Sequence, residues 1–271
     1  MVCAQRRGPR ERESSLEPHS GEAPPEPPLV RQPDPTLGAG RHGLRVPERA
    51  LLAERHRIKN EGERSIRMAD VHAMAMQTRN ELFDELQELT DDDLAVMTCC
   101  DPWTVKHLVA HMTALGNQSV PNFMLGMLRA RGNFDRFVAS DLQQYMKSTE
   151  EMKAGFKATL ARAKPSPGPK YVMLGEYTVH GEDIRRALGR RGDHPAERLQ
   201  PLAEMYAATR APIDGKRRAE GLSFRATDGN WSLGEGREVA GPGIDLVRAI
   251  SGRVDAYDTL EGPGLETLKS R

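Results

Sequence analysis

From Met68 onward apolar residues recur at helical spacing along most of the chain, and the period changes only toward the C-terminal end. Between Met68 and Leu89, the residues Met74, Leu82, Leu86 and Leu89 are flanked by Arg79, Glu81, Asp84, Glu85 and Glu88, which predicts an amphipathic helix. Thr90 followed by Asp91, Asp92 and Asp93 predicts a short second helix reaching about Met97. The threonine oxygen caps a free amide there, and the acids face the positive end of the helix dipole. Pro102 stops what precedes it, Thr104 caps the next helix, and Val105, Leu108, Val109, Met112 and Gly116 form that helix's inward stripe. Pro121, Gly126, Gly132 and Asn133 predict a loop with one helical turn over 117–136. Leu142, Met146, Met152, Phe156 and Leu160 predict one long helix from Val138 to Ala163, ended by the prolines at 165–169.

The stretch 171–189, YVMLGEYTVHGEDIRRALG, predicts a fourth main helix. Met173, Tyr177, Ile184 and Ala187 share one face, and the helix closes at Gly189 with Arg185, Arg186 and Arg190 near its negative end. A further helix over 196–210 follows from Leu199, Leu202, Met205 and Tyr206. The period then falls to two. Leu222, Phe224 and Ala226 alternate with Ser223, Arg225 and Thr227, Asp228-Gly229-Asn230 supplies a turn, and Trp231 and Leu233 alternate again, predicting a hairpin. A third strand at Arg237 to Ala240 leads through Gly241-Pro242-Gly243 into a helix, Ile244 to Ile250. The expected fold is therefore mainly α: a four-helix bundle over 68–195 followed by a small α+β domain over 196–271.

Composition changes the picture at the N-terminus. Residues 1–67 hold nearly half of the 19 prolines, with interspersed Arg and Glu and little apolar periodicity, so a disordered extension is expected there. Lys+Arg and Asp+Glu both number 39, and a net charge of zero gives no overall attraction to nucleic acid or to an anionic membrane. Cys3, Cys99 and Cys100 are too few for a disulfide framework, which points to a reducing, cytoplasmic setting. Neither a membrane-spanning apolar run nor the apolar core of a secretory signal is present in the sequence.

The candidate chemistry lies on the helix over 171–189. Glu176 and His180 stand four residues apart on its inward face, and a buried carboxylate requires a cation, an arginine or a metal opposite it. Spacing alone favours an acid paired with an arginine beside a hydrogen-bonded core histidine. His111 lies next to the inward stripe of its own helix, whereas His107 points further toward solvent; His72, His107 and His194 read as surface or structural residues. Cys100 reads as a small apolar residue before a helix. Asp183 either orients a histidine or pairs with Arg186 or Arg190, and Arg253, in a Ser-Gly-Arg turn, is either a surface charge or a contact for an anionic substrate.

Three separated motifs occur in order: CxxWTVxxxxAH at Cys100 to His111, E-x3-H-G-x-D-I-R-R at Glu176 to Arg186, and a closing set of W-S-x-G-x-G, G-P and S-G-R ending at Arg253. Together they resemble the mycothiol-dependent maleylpyruvate isomerase family, within the DinB-like superfamily of metal-binding helical bundles, over about Met68 to Arg271. Where the family often has Pro-Gly between the Cys and the Trp, this chain has Asp101-Pro102. The resemblance implies a divalent ion, usually zinc, held by His111, Glu176 and His180. It further implies mycothiol as the thiol cosubstrate of a small organic substrate, and Arg253 is the further residue assigned to catalysis.

Two histidines and one carboxylate leave a fourth position open, where a low-molecular-weight thiol would be favoured as its thiolate. Thiolate addition to an activated double bond, rotation and elimination is an isomerisation; attack on a carbon bearing a leaving group is a transfer. The expected activity is a mycothiol-dependent isomerase or thiol transferase, the other class being a metal-binding module or regulator without turnover.

Overall fold

Each predicted apolar stripe has to be covered, and in the computed structural model, which describes residues 71–161, 171–211 and 213–271, four helical rods cover one another. The expectation for residues 1–67 lies outside the described residues. The first rod, α1, is helical over 71–87 and buries Val71, Ala75, Leu82 and Leu86. A capping box at Thr90 starts α2 (Asp91–Ala95): Thr90 Oγ1 accepts from the Asp93 amide at 3.2 Å, and Asp93 Oδ2 accepts from the Thr90 amide at 2.9 Å. A tight turn with a cis Asp101–Pro102 peptide then leads into α3 (Val105–Asn117), whose Val105 and Leu108 to Ala114 are buried.

Two expectations between α3 and the prolines are corrected. The stretch expected as a loop forms α4 (Val120–Arg129), because Ser119 Oγ accepts from the Asn122 amide at 3.3 Å and Pro121 sits in the first turn, where a missing N–H costs nothing. The single long helix is two: α5 (Phe134–Gln143) and α6 (Thr149–Leu160). A second capping box separates them, with Glu151 Oε2 accepting from the Ser148 amide at 3.2 Å and Ser148 Oγ accepting from the Glu151 amide at 3.4 Å. Apolar spacing ran across the break from Leu142 to Met152, while S-x-x-E was the signal that marked it.

The fourth rod is also not uniform. It consists of α7 (Val172–Gly175), a π-helical turn (Glu176–His180) and α8 (Gly181–Ala187). Single wide turns of this kind recur at functional sites, since they re-aim side chains without ending the helix. Long cationic side chains join the rods where helix carbonyls lack partners. Arg79 donates to the carbonyls of Thr159 (2.6 Å) and Leu160 (3.1 Å) at the end of α6, and Lys153 donates to those of Gln87 (2.8 Å), the last residue of α1, and Leu89 (2.7 Å), just beyond it.

Beyond the bundle come α9 (Ala196–Ala208), α10 (Gly215–Ala219) and a three-stranded sheet of β1 (Leu222–Ala226), β2 (Ser232–Gly234) and β3 (Arg237–Gly241), in the order β2-β1-β3. The expected hairpin is present, with Phe224 opposite Leu233. On its other edge β1 pairs with β3 in parallel, Phe224 opposite Val239. The chain passes from one edge of β1 to the other in two residues, which only glycine allows: Gly236 has φ 125°, and a Cβ there would strike the Gly221 carbonyl. This accounts for the W-S-x-G-x-G motif. The wholly buried α11 (Gly243–Ile250), a 3-10 turn (Val254–Thr259) and α12 (Leu265–Lys269) complete the chain. The protein is thus mainly α with a small α+β part, and among the described residues no helix is long and apolar enough to cross a membrane.

Candidate metal centre

His111 on α3 and the π-helical turn meet in the interior. Glu176 Oε2 lies 3.1 Å from His111 Nε2 and 3.2 Å from His180 Nε2, and the three residues are 3%, 7% and 1% exposed respectively. The donor atoms of all three fall within 4.8 Å of one another. Ligands bound tetrahedrally at about 2.0 Å stand about 3.3 Å apart, so the donor spacing suits a zinc-sized ion. The two imidazoles are perpendicular with centroids 5.4 Å apart, and Trp103 of the first motif packs on His111 at 5.3 Å.

The second nitrogen of His180 decides which way its lone pair points. Nδ1 lies 3.1 Å from Asp183 Oδ2, and donation to that carboxylate leaves Nε2 as the acceptor facing Glu176. Asp183 is in turn held by two arginines. Arg253 donates to Oδ2 through Nη2 (2.9 Å) and Nε (3.2 Å), and Arg248 donates to Oδ1 through Nη2 (3.3 Å) and Nε (3.4 Å). Burial works against its ionisation, but the Arg253 guanidinium, the His180 hydrogen bond and Arg248 together hold the Asp183 carboxyl well below the usual carboxylate range. Burial lowers the His111 imidazole to about pKa 4, with Glu176 pulling the other way, so His111 is neutral at pH 7, as a ligand must be.

A second group of metal-type donors, Cys99, Cys100 and Asp183, adjoins the first. Both sulfurs lie 3.4 Å from Asp183, but Arg248 and Arg253 already occupy its oxygens and neutralise the charge a cation would need. Burial, with Asp183 and Asp255, pushes the Cys99 thiol up to about 12, leaving it a poor nucleophile.

The remaining histidines among the described residues hold structural positions. His107 Nδ1 accepts from the Thr104 amide at 3.2 Å as part of a helix cap, His194 Nε2 lies 3.1 Å from buried Glu182, and His72 is partly buried on α1. Of the two adjacent acids, Glu182 takes Arg186, at 2.6 Å, and Asp183 takes His180. Arg253 is not a surface charge: it is 4% exposed and its Nη2 also lies 3.3 Å from His180 Nδ1. Sequence reasoning passed over Arg248. An arginine inside the apolar run Ile244 to Ile250 was the available signal, since a cation there needs an acid.

Residues 75–172 match the family model described as the mycothiol maleylpyruvate isomerase N-terminal domain, a span that contains His111 and ends before Glu176. The crystal structure of a histidine-to-alanine mutant of the mycothiol-dependent maleylpyruvate isomerase is similar with a TM-score of 0.50 at 13% identity, covering 72% of this chain and 92% of that one. A second crystal structure of the mycothiol-dependent maleylpyruvate isomerase covers the same shares at 13% identity with a TM-score of 0.46. At that identity the first likeness speaks for the fold. A search of curated protein sequences finds no match. Residues 75–172 thus resemble the mycothiol maleylpyruvate isomerase N-terminal domain, and the chain shares the fold of the mycothiol-dependent maleylpyruvate isomerase.

Proposed function

We propose that the chain holds one divalent ion, zinc by its donor set, through His111, Glu176 and His180, and catalyses a mycothiol-dependent isomerisation or thiol transfer on a small organic substrate. The observation that supports this reading is the convergence of two imidazole nitrogens, from α3 and from the π-helical turn, on one buried carboxylate oxygen at 3.1 and 3.2 Å. A divalent ion with an open coordination position supplies a lowered thiol pKa and hence a nucleophile at neutral pH.

The chain's own residues prepare that site. Burial keeps His111 neutral, Asp183 fixes the tautomer of His180, and Arg248 and Arg253 keep Asp183 charged and in place. Trp103 shields one face of His111 from water. Arg253 is assigned to the catalytic centre as a positioning residue, because its N–H groups donate to Asp183, the carboxylate that holds His180. In this layout 68–195 is the metal-binding bundle, and 196–271 is a second domain that contributes the two arginines. Addition of a thiolate to an activated double bond, rotation about the resulting single bond and expulsion of the same thiolate returns the thiol unchanged; displacement of a leaving group keeps it in the product. A reduced thiol cosubstrate places the reaction in the cytoplasm.

Elemental analysis of the purified protein tests the reading. About one zinc per chain is expected in wild type and little in Glu176→Ala or His180→Ala, each folded by circular dichroism. A thiol-stimulated turnover lost in His111→Ala would establish the enzyme. Retained metal without thiol binding would instead make the protein a binding module, and wild type that refuses added zinc would overturn the site.

A further inference from the structure

A cavity of about 330 Å³ lies between the end of α3, α4 and α5, and none of His111, Glu176 or His180 lines it. Its charged lining comes from Arg129 at the end of α4 and from Arg136 and Asp141 on α5. Asp141 is half-buried and accepts only from amides: Gln118 Nε2 to Oδ2 at 3.0 Å and Gln144 Nε2 to Oδ1 at 3.4 Å. Among the described residues no cationic side chain pairs with it, and Arg129 and Arg136 have no carboxylate partner either. Three fully buried acids among the described residues do have arginine partners: Asp183 is met by Arg248 and Arg253, Glu182 by Arg186, and Asp245 by Arg186 and Arg248. Burial raises the pKa of Asp141, with the Gln118 hydrogen bond opposing, as expected where no cation faces the carboxyl.

Opposite charges left unpaired around one cavity complement a molecule that carries both. The volume lies at the small end of the ligand-site range of about 300–1,000 Å³. Leu125, Phe137 and Tyr145 supply apolar wall between the charges. We propose that this cavity binds a small zwitterion, an α-amino acid with an apolar side chain, its carboxylate facing Arg129 and Arg136 and its ammonium facing Asp141. The site is separate from the metal centre, so the two readings stand or fall independently.

Calorimetric titration of the full chain with leucine tests this, alongside 4-methylpentanoate, which lacks the ammonium group, and 3-methylbutylamine, which lacks the carboxylate. Leucine should bind at least about tenfold more tightly than either, because each analogue gives up one charge-assisted contact. Asp141→Asn and Arg136→Gln should each weaken leucine about tenfold or more while leaving circular dichroism and metal content unchanged; Arg136 is exposed, so its loss does not threaten the fold. The proposal is overturned if leucine, methionine and phenylalanine all fail to bind at about 10 mM. It is overturned equally if 4-methylpentanoate binds as well as leucine, or if both variants bind like wild type.

Discussion

Replacing Asp183 by Asn keeps the shape of the side chain and removes the charge on which His180, Arg248 and Arg253 converge. The consequence falls unequally on the two arginines. Arg248, fully buried, keeps Asp255 at 2.8 Å and Asp245 at 3.5 Å, whereas Arg253, 4% exposed, loses its carboxylate and keeps the Ser251 carbonyl and Oγ at 3.4 and 3.3 Å, His180 Nδ1 at 3.3 Å and Cys100 Sγ at 4.0 Å. Breaking a buried pair by removing one partner costs about 3–5 kcal/mol, and full burial of Asp183 means that solvent screening does not reduce it. At about 2–4 °C per kcal/mol for a folded region of this size, the melting temperature should fall by about 6–20 °C. Loss of the negative partner of His180 Nδ1 should also weaken zinc affinity about 10–100-fold.

Urea unfolding followed by circular dichroism, with zinc titration on the folded variant, measures both effects. A double-mutant cycle with Arg253→Met assigns the cause. If a stranded guanidinium dominates, Asp183→Asn/Arg253→Met will be less destabilised than the two single changes added together. A loss below about 1 kcal/mol in Asp183→Asn, or strict additivity in the cycle, would refute the reasoning.

Three further outcomes follow from single features. Gly236→Ala should destabilise by about 1–3 kcal/mol, since its φ of 125° and the Gly221 carbonyl leave no room for a Cβ; an unchanged urea midpoint would contradict the crossover geometry. Cys99, with its thiol pushed up to about 12, should alkylate at pH 8 about a thousandfold more slowly than an ordinary free thiol, as read by peptide mass spectrometry; labelling within minutes would show that the buried environment is wrong. The raised pKa of Asp141 means that the folded state holds this proton more tightly than the unfolded chain, so its stability cost is absent below the ordinary carboxylate range and grows as pH rises through the raised value. Asp141→Asn should therefore gain on wild type between pH 4 and pH 7, by less than about 1 kcal/mol because the group is half exposed; a gain by wild type over the same range would reverse the sign.

Local pattern determined much of this protein. The stripes that define α1, α3, α6 and the rod over 172–187, the Thr90 cap and the Asp228-Gly229-Asn230 hairpin all depend on residues within a turn or two of one another, so periodicity and turn chemistry reach them. That Glu176 and His180 share a face of their own rod was legible from their spacing of four, whereas grouping His111 with them rested on the resemblance of short motifs. The break before Ser148 and the helix after Ser119 were also written locally, in caps that the apolar spacing obscured.

Other features depended on distance in the chain. Which of two adjacent acids holds the histidine was settled by arginines 65 and 70 residues away, and pairing at that separation leaves no local spacing to read. The parallel β3, reached by crossing the end of β1 rather than by a second hairpin, and the burial of Arg253 likewise exist only once β1, α11 and the bundle have packed. Periodicity says which face of an element is apolar; tertiary packing alone decides which charge from elsewhere must enter that face to neutralise the acid already there.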